Sequence, residues 1–351
     1  MLTLRWRLRL GFPNCSEVAV GGRRRSLVLV GAGVLAILAV LASLAVGNLG
    51  IPLGEVWRAL VSPDDSASSL IVQTQRIPRT VLGVAAGAAL AVAGVLMQSL
   101  TRNPLAEPRI MGVSSGASLG VVIAIFVFGV ETLPGYVWFG ILGALAAGLL
   151  VYGLAARTRS GSSPVTLALV GAALDASFGA VVIAVLTLDA QTFEQYRYWV
   201  IGSLTGRPAD VSFTVLPFIL VGLLLAMISA RGLDALALGE DVAVGLGSRI
   251  AMTRFSAAAG SVLLTGAAVA AAGPIGFVGL AVPHFARALV GSDHRWLLAV
   301  SVPLGVVFLL GADVIGRVIL LPDEIRAGVI TAVLGAPFLL FLVRRPRLVT
   351  A

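Results

Sequence analysis

Lysine is absent from this 351-residue chain: all 25 of its basic residues are arginine. A phosphate-binding loop of the G-x-x-x-x-G-K-[ST] type needs its lysine ammonium, so the chain carries no ATP site of that kind. Schiff-base chemistry is excluded for the same reason. Cysteine occurs once, as Cys15, and histidine twice, as His284 and His294. That leaves no ligand cluster for zinc, haem or an iron–sulfur centre, and no disulfide framework. Charge of either sign is scarce, at 12% of residues, and aromatics supply 7%. No basic stripe interleaved with aromatics is present, which argues against nucleic acid as a partner.

What is abundant is apolar residues, 58% of the chain, together with 41 glycines. Soluble domains hold about 45–50% apolar residues with glycine included. The mean hydropathy is +1.01. So few charges cannot cover so much apolar surface in water, and the composition indicates a polytopic, all-α membrane protein. Ten hydrophobic segments are predicted as spans: 26–48, 77–100, 111–130, 135–156, 164–188, 211–230, 250–273, 277–291, 296–319 and 326–343. The eighth is short and follows Gly273-Pro274 directly. With the first span entering from the cytoplasm, 18 arginines fall on the inner side and 7 on the outer. The positive-inside rule therefore places both termini in the cytoplasm. Residues 1–25 form an Arg-rich inner tail, the first apolar run reads as a retained helix rather than a cleaved signal, and 346–351 form a second inner tail.

Small residues recur at helix-packing intervals, in Gly83/Gly87 and in Gly112/Gly116/Gly120. In lipid such positions let backbones approach closely. Helix breakers follow span two (Asn103 to Pro108) and span seven (Gly273 to Gly276), which fits a distant inverted repeat with the breaks near opposite membrane faces. Intramembrane ionisable residues are few: Asp175 in span five, His284 with Arg287 in span eight, and Asp313 with Arg317 one turn apart in span nine. This set is too thin for a proton relay. Catalytic patterns are absent as well: Gly112-Val113-Ser114-Ser115-Gly116 does not have nucleophile-elbow spacing, and there is no H-E-x-x-H. Residues 231–249 are too polar for a span and are acidic on an arginine-dominated side. They read as two short helices joined at Gly239-Glu240, a knob suited to a protein partner more than to lipid headgroups.

The ordered motifs resemble the FecCD family, the membrane permeases of bacterial ABC importers for ferric siderophores, haem and cobalamin. They are Arg76-Ile77-Pro78-Arg79-Thr80, Gly87-Ala88-Ala89-Leu90-Ala91, Gly94-Val95-Leu96-Met97-Gln98 and Arg102-Asn103-Pro104-Leu105-Ala106-Glu107-Pro108. Next come Met111 before Gly112-Val113-Ser114-Ser115-Gly116-Ala117, then Trp199, Gly202-Ser203-Leu204 and Leu236-Ala237-Leu238-Gly239-Glu240. Last are Gly273-Pro274-Ile275-Gly276-Phe277-Val278-Gly279-Leu280, Pro283-His284, Gly328-Val329-Ile330-Thr331-Ala332 and Gly335-Ala336-Pro337-Phe338. The resemblance covers about 26–345, and departs at Arg109-Ile110, where a Gly-Leu pair is common.

The resemblance implies a permease domain over 26–345 in the bacterial plasma membrane, without cofactor, metal or catalytic residues of its own. It implies a second permease subunit, identical or paralogous, an ATP-binding ABC subunit dimer below, and a periplasmic or lipoprotein substrate-binding protein above. It implies that Arg76, Arg79 and Arg317 meet the binding protein. It implies that the knob 233–247, with Leu236, Leu238, Gly239, Glu240 and Asp241, meets the ATPase, and that Gly171, Asp175 and Ser177 lie near the translocation path. The segment from Thr192 to Arg207 looks most like the siderophore branch, which makes a ferric siderophore the expected cargo. A haem or cobalamin permease and an ion-coupled secondary transporter are the alternatives.

Overall fold

A computed structural model describes residues 21–47, 50–158 and 164–344 of the chain. Most of the Arg-rich tail, Cys15 and the tail 346–351 lie outside the described residues. The described residues form helices in the order α1 (Gly22–Ala45), α2 (Leu53–Val61), α3 (Ala67–Ile71), α4 (Ile77–Thr101), α5 (Val113–Phe128), α6 (Leu133–Ala156) and α7 (Pro164–Leu188). They continue with α8 (Ala190–Val200), α9 (Ala209–Ala237), α10 (Glu240–Gly245), α11 (Ile250–Ala272), α12 (Val278–Val290), α13 (His294–Ile319) and α14 (Ala327–Arg344). All ten expected segments coincide with helices. Seven helices among the described residues are long and apolar enough to cross a membrane, while α5, α12 and α14 are shorter apolar helices. α5 has 16 residues, about 24 Å at the helical rise, against a hydrocarbon core of about 30 Å.

Small residues decide which helices become central. α4 and α11, rich in alanine and glycine, are the most enclosed, and α11 packs between α4, α9 and α6. The glycines are contact points. A Cβ added to Gly87 would come 2.6 Å from the carbonyl oxygen of Gly305 on α13, and one added to Gly116 would come 2.5 Å from that of Gly143 on α6. α1 and α7 lie at the periphery with most of their apolar surface open.

Several elements escape a reading by hydropathy. The α3 helix runs through a π-helical turn at Val72–Arg76 into α4, as one continuous rod from Ala67 to Thr101. α2 tucks Val56 and Ala59 against Leu44, Ile51 and Val72 and leaves Trp57 exposed. The inner knob differs from the expected helix pair. Leu233, Leu236 and Ala237 are the last turns of α9 itself, and only α10 is a separate short helix.

Candidate functional site

Three places collect the polar side chains of this apolar chain. The first joins the start of α4 to the far end of α13. Arg79 grips Asp313 through Nε and Nη2, at 2.9 and 2.8 Å, and reaches Glu324 through Nη1 at 2.7 Å. Arg317, one turn along α13 from Asp313, donates Nε to it at 3.0 Å and Nη1 to the carbonyls of Ser43 and Val46 at 2.7 and 3.0 Å. Arg76 donates to the carbonyls of Leu44 and Ala45 at 2.7 and 2.8 Å. Those carbonyls end α1, where no further helical N–H can reach them. Arg76 and Arg79, three residues apart, converge on one cluster, and Arg317 joins them. All three are nonetheless buried: Arg76 is 5% exposed, Arg79 8% and Arg317 2%. Asp313 is shared between two guanidinium groups, and Arg317 finds further acceptors in the carbonyls of Ser43 and Val46.

A cleft of about 700 Å³ opens over this cluster, lined by Thr74, Gln75, Arg76, Arg79, Arg207, Arg317 and Glu324 among others. A neighbouring cavity of about 280 Å³ shares Thr205, Gly206, Arg207 and Glu324 and adds Tyr136, Tyr198 and Arg326. Arg207 is buried, donates Nε to the Ser203 carbonyl at 3.1 Å, and forms no ion pair with a described carboxylate. Burial pulls its guanidinium below the ordinary value, opposed by its contact with the Tyr136 hydroxyl. The cleft therefore carries a surplus of positive charge. In the sequence Arg207 has only a place at the end of the segment from Thr192, and Glu324 is not singled out, since both lie in loops between helices.

The second place lies partway along the helices long and apolar enough to cross a membrane. Both helix-breaking segments, expected near opposite faces, meet there. Glu107 Oε1 accepts the Phe277 N–H at 2.9 Å. A Cβ on Gly279 would lie 2.9 Å from the Pro108 ring, and one on Gly94 would lie 2.0 Å from the Gly279 carbonyl oxygen. Gly94 stands about 12 Å above Arg102, the inner end of α4. The turn 102–112 is therefore more than an inner loop: it climbs into the core, and the short α5 starts from there. Arg109, expected on the inner side, lies over Gly276 and pairs with Glu107 at 3.0 Å; its side chain is 42% exposed. α7 passes beside this turn, with Gly171 O 3.4 Å from a Cβ built on Gly112. Gly171 is buried by that contact, while Asp175 and Ser177 are exposed. In the sequence the run 111–130 is long enough for a full span, so it gave no signal of the depth of Arg109.

The third place is the knob. Gly239 has φ +114° and ψ 154°, a conformation glycine alone adopts comfortably, and it turns the chain from α9 into α10. Leu236 is buried, whereas Leu238, Glu240 and Asp241 are exposed. Arg102 donates to the Leu236 carbonyl at 3.0 Å, and Arg254 pairs with Glu240 at 2.5 Å. Leu238, Val242, Val244 and Leu246 leave an apolar surface on the outside of the knob. Elsewhere, Arg287 donates to Gln98 at 3.2 Å and His284 Nδ1 is buried without a partner among the described residues.

The FecCD transport family model matches residues 35–345. The chain belongs to the FecCD transport family. It is 37% identical over 319 residues to the "Probable siderophore transport system permease protein YfiZ" of Bacillus subtilis (strain 168), covering 91% of this chain and 96% of that one. It is 41% identical over 321 residues to the ferric enterobactin transport system permease FepD of Escherichia coli (strain K12), covering 92% and 96%. A solved structure described as an inward-facing metal-chelate type ABC transporter superposes with a TM-score of 0.80 at 29% identity, over 91% of this chain and 99% of that one. This FecCD chain is thus an ABC importer permease of the metal-chelate type and a multi-pass protein of the bacterial inner membrane.

Proposed function

We propose that the chain is one of two permease subunits that enclose a central path and move a ferric siderophore inward, with a separate ATPase dimer supplying energy and a binding protein delivering the cargo. The observation that carries this reading is the Glu107–Arg109 pair. An exposed arginine within the hydrocarbon span costs about 2.5–3.5 kcal/mol or more if it faces lipid, so such groups turn toward water-filled cavities. The pair sits beside α7, whose apolar surface is largely open. A second subunit apposed at α7 would enclose the pair in an aqueous path, near Gly171, Asp175 and Ser177. In this arrangement the seven long apolar helices and the three shorter ones would cross or enter the membrane with both termini inside.

The outer cleft is proposed as the docking place of the binding protein, with Arg76, Arg79 and Arg317 forming its floor, Arg207 its wall, and Arg326 lining the neighbouring cavity. Carboxylates of a partner would meet forked donors there. The knob, with Leu236, Leu238, Gly239, Glu240 and Asp241, is proposed as the ATPase contact, its apolar outer face seated in the partner. Siderophore cargo is supported by the names of YfiZ and FepD; haem or cobalamin is the alternative. Vesicles holding this permease and its ATPase should accumulate labelled ferric siderophore only with ATP, and an uncoupler should not abolish uptake. Uptake that collapses with the uncoupler and ignores ATP would instead indicate an ion-coupled transporter.

A further inference from the structure

Asp234, His294 and Ser99 come from three helices and meet at the root of the knob. His294, the first residue of α13, is buried; its Nδ1 lies 2.6 Å from Asp234 Oδ1 on α9, and its backbone N–H donates to the same oxygen at 3.0 Å. Its Nε2 lies 2.7 Å from Ser99 Oγ on α4. Asp293, which caps α13, pairs with Arg25 of α1 at 3.0 Å. Serine, histidine and aspartate in this order of contact resemble a hydrolase triad. Ser99, however, lies in the last turns of α4 among carbonyl oxygens, where the helix dipole is negative and an oxyanion would be repelled. The trio is a fastening.

Its position gives it a role. The same two helices, α4 and α13, are fastened again at their outer ends by Arg79 and Asp313, beneath the outer cleft. Between the two fastenings Gly87 and Gly305 bring the backbones into contact. A helix pair held at both ends and close-packed in the middle has little freedom to bend or slide. Ser99 keeps the inner fastening closed in either charge state of the imidazole. A neutral ring with Nδ1–H toward Asp234 accepts the Ser99 hydroxyl proton at Nε2. A protonated ring donates from both nitrogens, and the hydroxyl then turns to the Val95 carbonyl at 2.8 Å.

We infer that α4 and α13 form a rigid strut between the outer cleft and the inner knob, and that His294 is the positioning residue that seats the knob on it. This rests on the proposed roles of cleft and knob. Binding-protein docking at one end of the strut would then be felt by the ATPase at the other, as one coupling free energy.

The test uses the complete transporter, permease with ATPase and binding protein, reconstituted in vesicles. His294→Leu keeps the bulk and removes both ring contacts; Asp234→Asn alters the half-exposed partner. His294→Leu, which lies outside the knob, should assemble and keep basal ATP hydrolysis, while in both variants stimulation by the binding protein falls about fivefold or more. The double variant should be no worse than His294→Leu alone, because both break one fastening. A second measurement needs no partner: amide exchange across 233–247 in the purified permease should rise in His294→Leu. Unchanged stimulation in both variants, or unchanged exchange, overturns the inference. If the unmodified transporter shows no stimulation at all, the proposed roles of cleft and knob fail, and the exchange experiment still decides whether His294 seats the knob.

Discussion

Arg79 and Asp313, 234 positions apart in the sequence, meet at 2.8 Å in the interior of the subunit. Asp313 is fully buried and also holds Arg317, so one carboxylate offsets two guanidinium groups. Neutralising it leaves Arg317 without a carboxylate and Arg79 with Glu324 alone. Breaking a buried ion pair from one side costs about 3–5 kcal/mol. Asp313→Asn is therefore expected to lower the thermal unfolding temperature of the purified permease markedly and to reduce its yield in membranes. An unfolding profile matching the unmodified protein would remove the cluster from the stability of the fold.

Gly94 and Gly279 set the approach of α4 to α12. A Cβ on Gly94 would sit 2.0 Å from a backbone oxygen, which no side-chain rotation relieves. Gly94→Ala should destabilise by about 1–3 kcal/mol or more through overpacking. Gly33 on α1 has nothing within 4 Å of the same added atom. Gly33→Ala should stay within about 0.5 kcal/mol of the original. Paired unfolding measurements check both, and equal effects would mean that α4 and α12 do not pack as described.

Hydropathy alone located the ten apolar helices, because apolar runs bounded by Arg, Gly and Pro are read directly in a lipid-facing protein, whereas α2, α3, α8 and α10 carry no such run. The Asp313–Arg317 pairing was legible too, since one helical turn separates the two. What was not legible depends on contacts distant in sequence. Arg79 stands three residues from Arg76 in the sequence, but its partner Asp313 is brought in by α13. Arg109 was assigned to the inner side because a loop arginine there matches the charge rule; only the contact of Pro108 with Gly279 shows that the turn climbs into the core. The knob was recognised by its acidity, whereas its first half proved to be the end of α9, since nothing between Ala230 and Ala237 interrupts the helix.

Gly239 offers a separation of coupling from stability. Its φ of +114° strains any other residue, yet nothing lies within 4 Å of an added Cβ. Gly239→Ala therefore introduces strain of about 1–3 kcal/mol confined to the joint between α9 and α10. The spans should unfold as before, while α10 changes its angle to α9. Hydrolysis by a bound ATPase should then run without matching uptake, or the ATPase should fail to co-purify. Normal co-purification with normal coupled uptake would exclude the joint from coupling.

Arg326 and Arg79 separate docking from folding at the outer cleft. Arg79 is enclosed between Asp313 and Glu324, so Arg79→Glu would bring a third carboxylate against two others and should prevent folding. Its effect on a partner could not then be read. Arg326 lies on the cavity wall, half-buried, donating to the Tyr198 carbonyl at 3.2 Å with its guanidinium 5.3 Å from the Tyr198 ring. Neither contact needs a counter-charge, so Arg326→Glu should fold. If acidic groups of the binding protein dock here, reversing this charge should weaken association and slow its onset. The loss should be largest at low ionic strength and shrink as salt rises, because the Debye length falls to about 10 Å at 0.1 M. Binding measured across a salt series tests this, with co-purification of the ATPase as the control for assembly. Affinity that is unchanged at low salt would leave the cluster beneath the cleft with a structural role and move docking elsewhere on the outer surface.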